Sequence, residues 1–200
     1  MYDWHDITPD EREKRLLRRK SEGWSWHGPP HPIVAEGWYH LSAACYYHEP
    51  IIGAQKGRMA DFALKLRAAL QQGEVENPVA AWCVLPNHYH ALAHAKNVKL
   101  VAASLAKLHG SVSFVWNGED NTRGRKNWHS VMDRAMRSED HYWAVMNYIH
   151  HNPVKHGYVK RWQDWPHSSV HDFMKKYPRE VVEALWRQYP VLEMGKGWDD

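Results

Sequence analysis

The chain has little cysteine, no long apolar run and no strong charge of either sign. Its two cysteines, Cys45 and Cys83, both fall in apolar strand-like stretches, which argues against a disulfide scaffold and for reduced thiols in a core. No uninterrupted apolar stretch approaches the roughly eighteen residues of a membrane span. The N-terminus reads Met1-Tyr2-Asp3-Trp4 rather than basic and then apolar, so a cytoplasmic protein without a membrane partner is expected. There is no internal repeat or low-complexity tract. Nor does a pair of carboxylates stand out that could activate water in a metallohydrolase. A net charge of +3 allows nucleic acid as a partner without requiring it.

What is present is more telling. At 200 residues and 44% hydrophobic content, the chain is long enough for one domain with a core and an arm or tail. Sixteen histidines and twelve tryptophans stand out. Exposed Trp and Tyr stack on unpaired bases, while His supplies donors and metal ligands. Residues 1–32 form a separate arm, with a basic cluster (Arg12, Lys14, Arg15, Arg18, Arg19, Lys20) on a short helix. The segment Trp24 to Pro32 that follows is too rich in Pro and Gly for a regular element.

From Trp38 the hydrophobic periodicities give an ordered series of elements. Tyr39, Leu41, Ala43, Cys45 and Tyr47 alternate as in a half-buried strand that Glu49-Pro50 ends. Met59, Phe62, Leu66 and Leu70 recur at helical spacing up to Gly73. Val79 to Leu85 is a nearly continuous apolar strand, Pro86-Asn87 a turn, and His88 to about Ala95 the returning strand of a hairpin. Val101, Leu105, Leu108, Val112 and Val115 predict a second helix, and Trp128 to Met136 a fourth strand. Ser138 is an N-cap for a helix that Pro153 should end at Asn152. In that helix Tyr142, Met146 and Ile149 make a buried stripe, and His141, Val145, Tyr148 and Asn152 a neighbouring stripe that faces a site. The order is that of an α+β, ferredoxin-like βαββαβ core with a mainly antiparallel sheet over residues 33–157, plus an extra helix. Residues 158–200 read as a C-terminal extension packed on it, with a helix from about Arg179 to Gln188.

Two short segments carry the chemistry. In Leu85-Pro86-Asn87-His88-Tyr89-His90, the alternation of a strand puts His88 and His90 on one face and turns Tyr89 to the other. In Tyr148-Ile149-His150-His151-Asn152-Pro153-Val154, helical spacing stacks Tyr148 and Asn152 on one face. A helix laid across the strand would bring a phenol and an amide oxygen to the same ion.

These segments resemble the single-tyrosine HUH transposases and, within them, the REP-associated tyrosine transposases of bacteria. The likeness rests on Trp82 to His90, on Trp128 with Asp133 and Arg137, on Tyr148 to Gly157, and on Asp164-Trp165-Pro166-His167-Ser168-Ser169. It implies that Tyr148 is the nucleophile and that His88, His90 and Asn152 are ligands of Mg²⁺ or Mn²⁺. Many relatives outside the subgroup have a glutamine as the third ligand. The residue between the two histidines is usually bulky and apolar, where this chain has Tyr89. By softness alone, imidazole also suits Zn, Ni or Cu.

The resemblance further implies cleavage and rejoining of single-stranded hairpin DNA through a covalent 5′-phosphotyrosine, with a free 3′-hydroxyl as the other product. It favours a monomer, although more distant relatives work as dimers. Expected phosphate contacts are Arg123, Arg125, Lys126, Arg134, Lys155, Lys160 and Arg161, and expected base-stacking residues are Trp24, Trp26, Trp162 and Trp165. A hairpin-binding protein that no longer cuts would not need both histidines, the tyrosine and Asn152. A replication initiator or relaxase usually has a longer chain.

Overall fold

The computed structural model describes residues 36–73 and 78–191, together with Thr8, Asp10, Glu11, Lys14 and Leu17. The rest of the N-terminal arm, including Trp24 and Trp26, lies outside the described residues. Thr8 and Glu11 exchange the two hydrogen bonds of a capping box, at 3.0 and 3.3 Å, and Asp10, Glu11, Lys14 and Leu17 are helical.

Four strands form one antiparallel sheet: β1 (Gly37–Ala44), β2 (Val79–Val84), β3 (His88–Ala95) and β4 (Met132–Ala135), in the order β2-β3-β1-β4. With helices α1 (Arg58–Leu70) and α2 (Val98–Glu119) as the crossovers, this is the ferredoxin-like pattern the periodicities predict. Strand β1 is central. It pairs with β3 from Gly37↔Ala95 to Ala44↔His88 and with β4 from Tyr39↔Ala135 to Ser42↔Met132.

The pleat sorts the side chains into two cores. Tyr39, Leu41, Ala43, Tyr89, Ala91 and Ala93 face Phe62 and Leu66 of α1 and Val101, Leu105 and Val112 of α2. Ala81, Cys83 and Leu92 face the other way, against Val145, Met146, Tyr148 and Ile149 of α3 (Glu139–Lys155). The thiols of Cys45 and Cys83 are both buried and free, and burial pushes that of Cys45 up to about 12. By length and composition α2 is apolar enough to cross a membrane, which the interrupted sequence did not suggest. Its buried stripe on the sheet marks it as a core helix of this layer. Arg58 at the start of α1 reaches Asp120 and Glu119 at the end of α2 at 2.7 and 2.8 Å, and holds Asp120 well below the usual carboxylate range.

Several boundaries differ from those the sequence suggests. Strand β1 stops at Ala44, because Tyr46–His48 turns in a short 3₁₀ segment with Tyr47 and His48 at positive φ. Strand β4 is only four residues long, and Trp128 makes an isolated bridge to Cys45 instead of starting it. In α2, Val115 is exposed and Trp116 takes the buried place, as a helix of 3.6 residues per turn drifts off a strict four-three pattern. Helix α3 is capped as predicted, Ser138 Oγ accepting from the His141 amide at 3.1 Å, but it runs through Pro153 to Lys155. Proline so near the end costs little, since few later turns depend on its missing N–H. Nor is α3 half-exposed: every residue from Val145 to His150, and Asn152, is buried.

The C-terminal extension accounts for that burial. It adds α4 (Val170–Lys176), which the sequence reading did not identify, and α5 (Arg179–Gln188), which it did. Residues His167 to Ser169 lie along β2 like a fifth strand. The Val84 amide donates to His167 O and the Ser169 amide to Trp82 O, both at 2.9 Å, and Cys83 bridges Ser168. Ser169 Oγ accepts from the Trp82 amide at 2.9 Å and meets His150 Nε2 at 3.0 Å. The exposed edge of the sheet is thereby covered.

Two of the buried histidines, His109 and His150, have a strongly lowered affinity for their second proton. Burial pulls His150 down to about 3 and His109, which accepts from Tyr89 Oη at 3.2 Å and stacks on Trp128, down to about 4. Their folded values lie below the ordinary 6.5, so the stability that depends on their neutrality is complete above that pH and is lost as pH falls toward 4. Chemical denaturation at a series of pH values should show stability falling below pH 6.5 with about 1.4 kcal/mol per pH unit for each histidine. His109→Gln, which cannot titrate, should remove one histidine's share of that slope.

Candidate active site

The register of β1 with β3 decides what faces α3. Ser42 lies opposite His90 and Ala44 opposite His88, so both histidines point to the α3 side while Tyr89 enters the other core. Burial raises the Tyr89 phenol well above its ordinary range, in keeping with a packing role.

On that face the predicted residues come together. His88 Nε2 is 2.9 Å from Asn152 Oδ1. The rings of His88 and His90 are 5.0 Å apart, and those of His90 and Tyr148 5.2 Å. Lys155, two turns beyond Tyr148, holds its ammonium 5.3 Å from the centre of the phenol ring. All four central side chains are buried, Tyr148 at 1% exposure and Asn152 at 0%.

The hydrogen bond behind His88 fixes its proton. Asn87 Nδ2 donates to His48 O at 3.1 Å, so its oxygen is the atom that meets His88 Nδ1 at 2.7 Å. That oxygen can only accept. His88 therefore carries a proton on Nδ1, and in the neutral ring Nε2 is a lone pair. This lone pair is directed at the lone pairs of Asn152 Oδ1, an arrangement that suits a cation shared by both. On β1, His40 backs the other histidine, with Nε2 3.0 Å from His90 Nδ1. Neither Asn87 nor His40 stood out in the sequence, Asn87 reading as a turn residue and His40 as one histidine among many. Among the described residues there is no group of three or more His, Cys, Asp or Glu able to hold a metal. A metal on two histidines thus depends on the Asn152 amide and on oxygen from outside the chain.

The residues expected to contact DNA scatter more widely. Arg134 pairs in register with His40 and so lies on the α3 side, where burial and Arg137 lower its affinity for its proton. Lys160 is exposed, and exposed Arg161 pairs with Asp164 at 2.7 Å. Arg123 donates to Phe114 O at 2.7 Å, capping α2. Arg125 is tied to Asn127, Asn117 and Asp120, with bonds of 2.8, 3.1 and 2.8 Å, and Lys126 lies 4.3 Å over the ring of Tyr46. Trp162 stacks on Trp186 at 5.2 Å, while Trp165 is buried with its indole N–H donating to Val84 O at 2.9 Å. In this arrangement Trp165 offers no open face to a base. Of the other histidines beside the tyrosine in sequence, His150 is committed to Ser169 and His151 packs near Trp186.

The sheet order and the helix laid across it are those of an α+β fold that a solved structure shares. A solved structure described as a REP-associated tyrosine transposase bound to a REP hairpin matches with a TM-score of 0.54 over 82% of this chain and 89% of that one, at 21% identity. No protein-family model matches. A protein of Haemophilus influenzae, provisionally named a REP-associated tyrosine transposase, is 29% identical over 155 residues, 70% of this chain and 84% of that protein. The REP-associated tyrosine transposase of Escherichia coli K12 is 32% identical over 134 residues, 63% of this chain and 69% of that protein. The chain belongs to the REP-associated tyrosine transposases.

Arg125, an expected phosphate contact, also holds the end of α2 to the loop that follows. Arg125→Ala should lower stability by about 1–3 kcal/mol in denaturant titrations, since it strips partners from the partly buried Asp120 and Asn117.

Proposed function

We propose that the protein is a metal-dependent single-stranded DNA endonuclease and strand transferase that acts on hairpin DNA through Tyr148. The observation that carries this reading is the convergence, within one chain, of His88 Nε2 and Asn152 Oδ1 at 2.9 Å beside the rings of His90 and Tyr148. The hairpin-bound relative supports the substrate class.

The roles follow from the chemistry of each group. The Tyr148 oxygen attacks the phosphorus and loses its proton, the bond to the 3′ oxygen breaks, and that oxygen leaves as a 3′-hydroxyl. The phosphate stays on the tyrosine through its 5′ side, so a 3′-hydroxyl of another strand can reverse the step and join without ATP. Lys155 holds a positive charge over the phenol ring, which favours negative charge gathering on the phenol as it attacks. His88, His90 and Asn152 would hold Mg²⁺ or Mn²⁺, which neutralises charge on the scissile phosphate. Asn87 keeps the Nδ1 proton of His88 in place, leaving its Nε2 to ligate, and His40 orients the His90 ring through its Nδ1. Because Tyr148 is buried, the site must open before a phosphate can meet the phenol. Arg134, Lys155, Lys160 and Arg161 are the basic residues best placed to guide the strand.

Incubation with labelled hairpin DNA and Mn²⁺ should give a DNA–protein adduct on denaturing gels with the native chain and none with Tyr148→Phe. An adduct that persists in the Phe variant would remove Tyr148 from its role, and cleavage by both forms without an adduct would point to water as nucleophile. Asn87→Ala and His40→Phe should weaken Mn²⁺ binding about 10- to 100-fold, read by the spectroscopic signal of free Mn²⁺. Unchanged affinity in both would count against a metal on these histidines.

A further inference from the structure

The turn after β1 holds two of the three non-glycine residues at positive φ among the described residues. Tyr47 (φ 54°, ψ 23°) and His48 (φ 55°) are consecutive residues in the left-handed region, which glycine enters freely and side chains with a Cβ do not. Three hydrogen bonds hold the turn there. The Cys45 amide donates to Asn87 O at 2.7 Å, the Tyr46 amide to Asn127 O at 2.8 Å, and Asn87 Nδ2 to His48 O. Packing does not explain the choice of residue, because Tyr47 is 76% exposed.

The strained turn builds an aromatic ledge. The Tyr47 ring lies 4.3 Å from that of Tyr46, whose ring in turn lies 5.0 Å from His129 and 4.3 Å from the ammonium of Lys126. Asn87 joins this ledge to the candidate active site, since the side chain that holds the turn at His48 also meets His88. Strain of this kind persists where surrounding structure enforces it and tends to collect at binding sites.

We infer that the Tyr46–Tyr47 ledge is a stacking site for an unpaired base of the DNA strand next to the scissile phosphate, with Lys126 beside it for the backbone. An exposed ring on a fixed turn gives a base a flat partner, and an adjacent cation suits the phosphate that comes with it. The inference rests on the proposed function, because it takes single-stranded DNA as the substrate.

Tyr47→Gly separates stacking from a structural role. Glycine relieves the left-handed strain, so the variant should melt at the same temperature as the native chain or higher. Its affinity for a short fluorescein-labelled single strand, measured by anisotropy in EDTA, should nevertheless fall roughly 5- to 100-fold. Tyr47→Phe should bind as the native chain does. The native preference for a normal strand over one made of abasic nucleotides should shrink in Tyr47→Gly. Native-like affinity of Tyr47→Gly, or an equal loss in Tyr47→Phe, would overturn the ledge, and the native chain's DNA–protein adduct would still uphold the proposed function. A native chain that neither binds single strands nor forms the adduct would overturn both.

Discussion

The pairing of β1 with β3 is the constraint on which the rest of the site depends. Its register, from Gly37↔Ala95 to Ala44↔His88, fixes which face of β3 meets which layer of helices. A slip of one residue would send His88 and His90 among the apolar residues of α1 and α2 and bring Tyr89 to α3. The slip is opposed on both faces at once. Tyr39, Leu41, Tyr89 and Ala91 would leave one core, and Leu92 the other. Accuracy in the candidate site is therefore a by-product of burying two cores on one sheet.

The second contribution is the way α3 is held. Its residues from Val145 to His150 are buried between the sheet and the C-terminal extension, so Tyr148 has little freedom relative to β3. The extension is clamped by Ser169, which engages both Trp82 of β2 and His150 of α3. One small side chain thus ties strand, helix and tail together.

Much of this was legible in the sequence because two periods do most of the encoding. The alternation of β3 separated His88 and His90 from Tyr89, and the helical spacing of Tyr148 and Asn152 put them on one face; both follow from backbone geometry alone. The failures have a different origin. Tyr47 fits the alternation of β1, yet three hydrogen bonds from distant residues pull it into a turn. Pro153 is a local signal against helix, yet the packed surroundings carry α3 past it to Lys155. Asn87 and His40 act through partners on other elements, and no spacing along the chain reveals such contacts. Arg125 and Trp165 look like DNA-binding residues by type, and their bonds to Asp120, Asn117 and Val84 O are likewise invisible along the chain.

The strip from His167 to Ser169 along β2 has a consequence for assembly. A sheet with two open edges invites another copy to continue it, and here one edge is already taken by the chain's own tail. Among the described residues the opposite edge is β4, only four residues long, and very short edge strands are one way in which sheets limit further pairing. One edge of the sheet is thus occupied by the chain itself and, among the described residues, the other offers only a four-residue ladder to any backbone pairing.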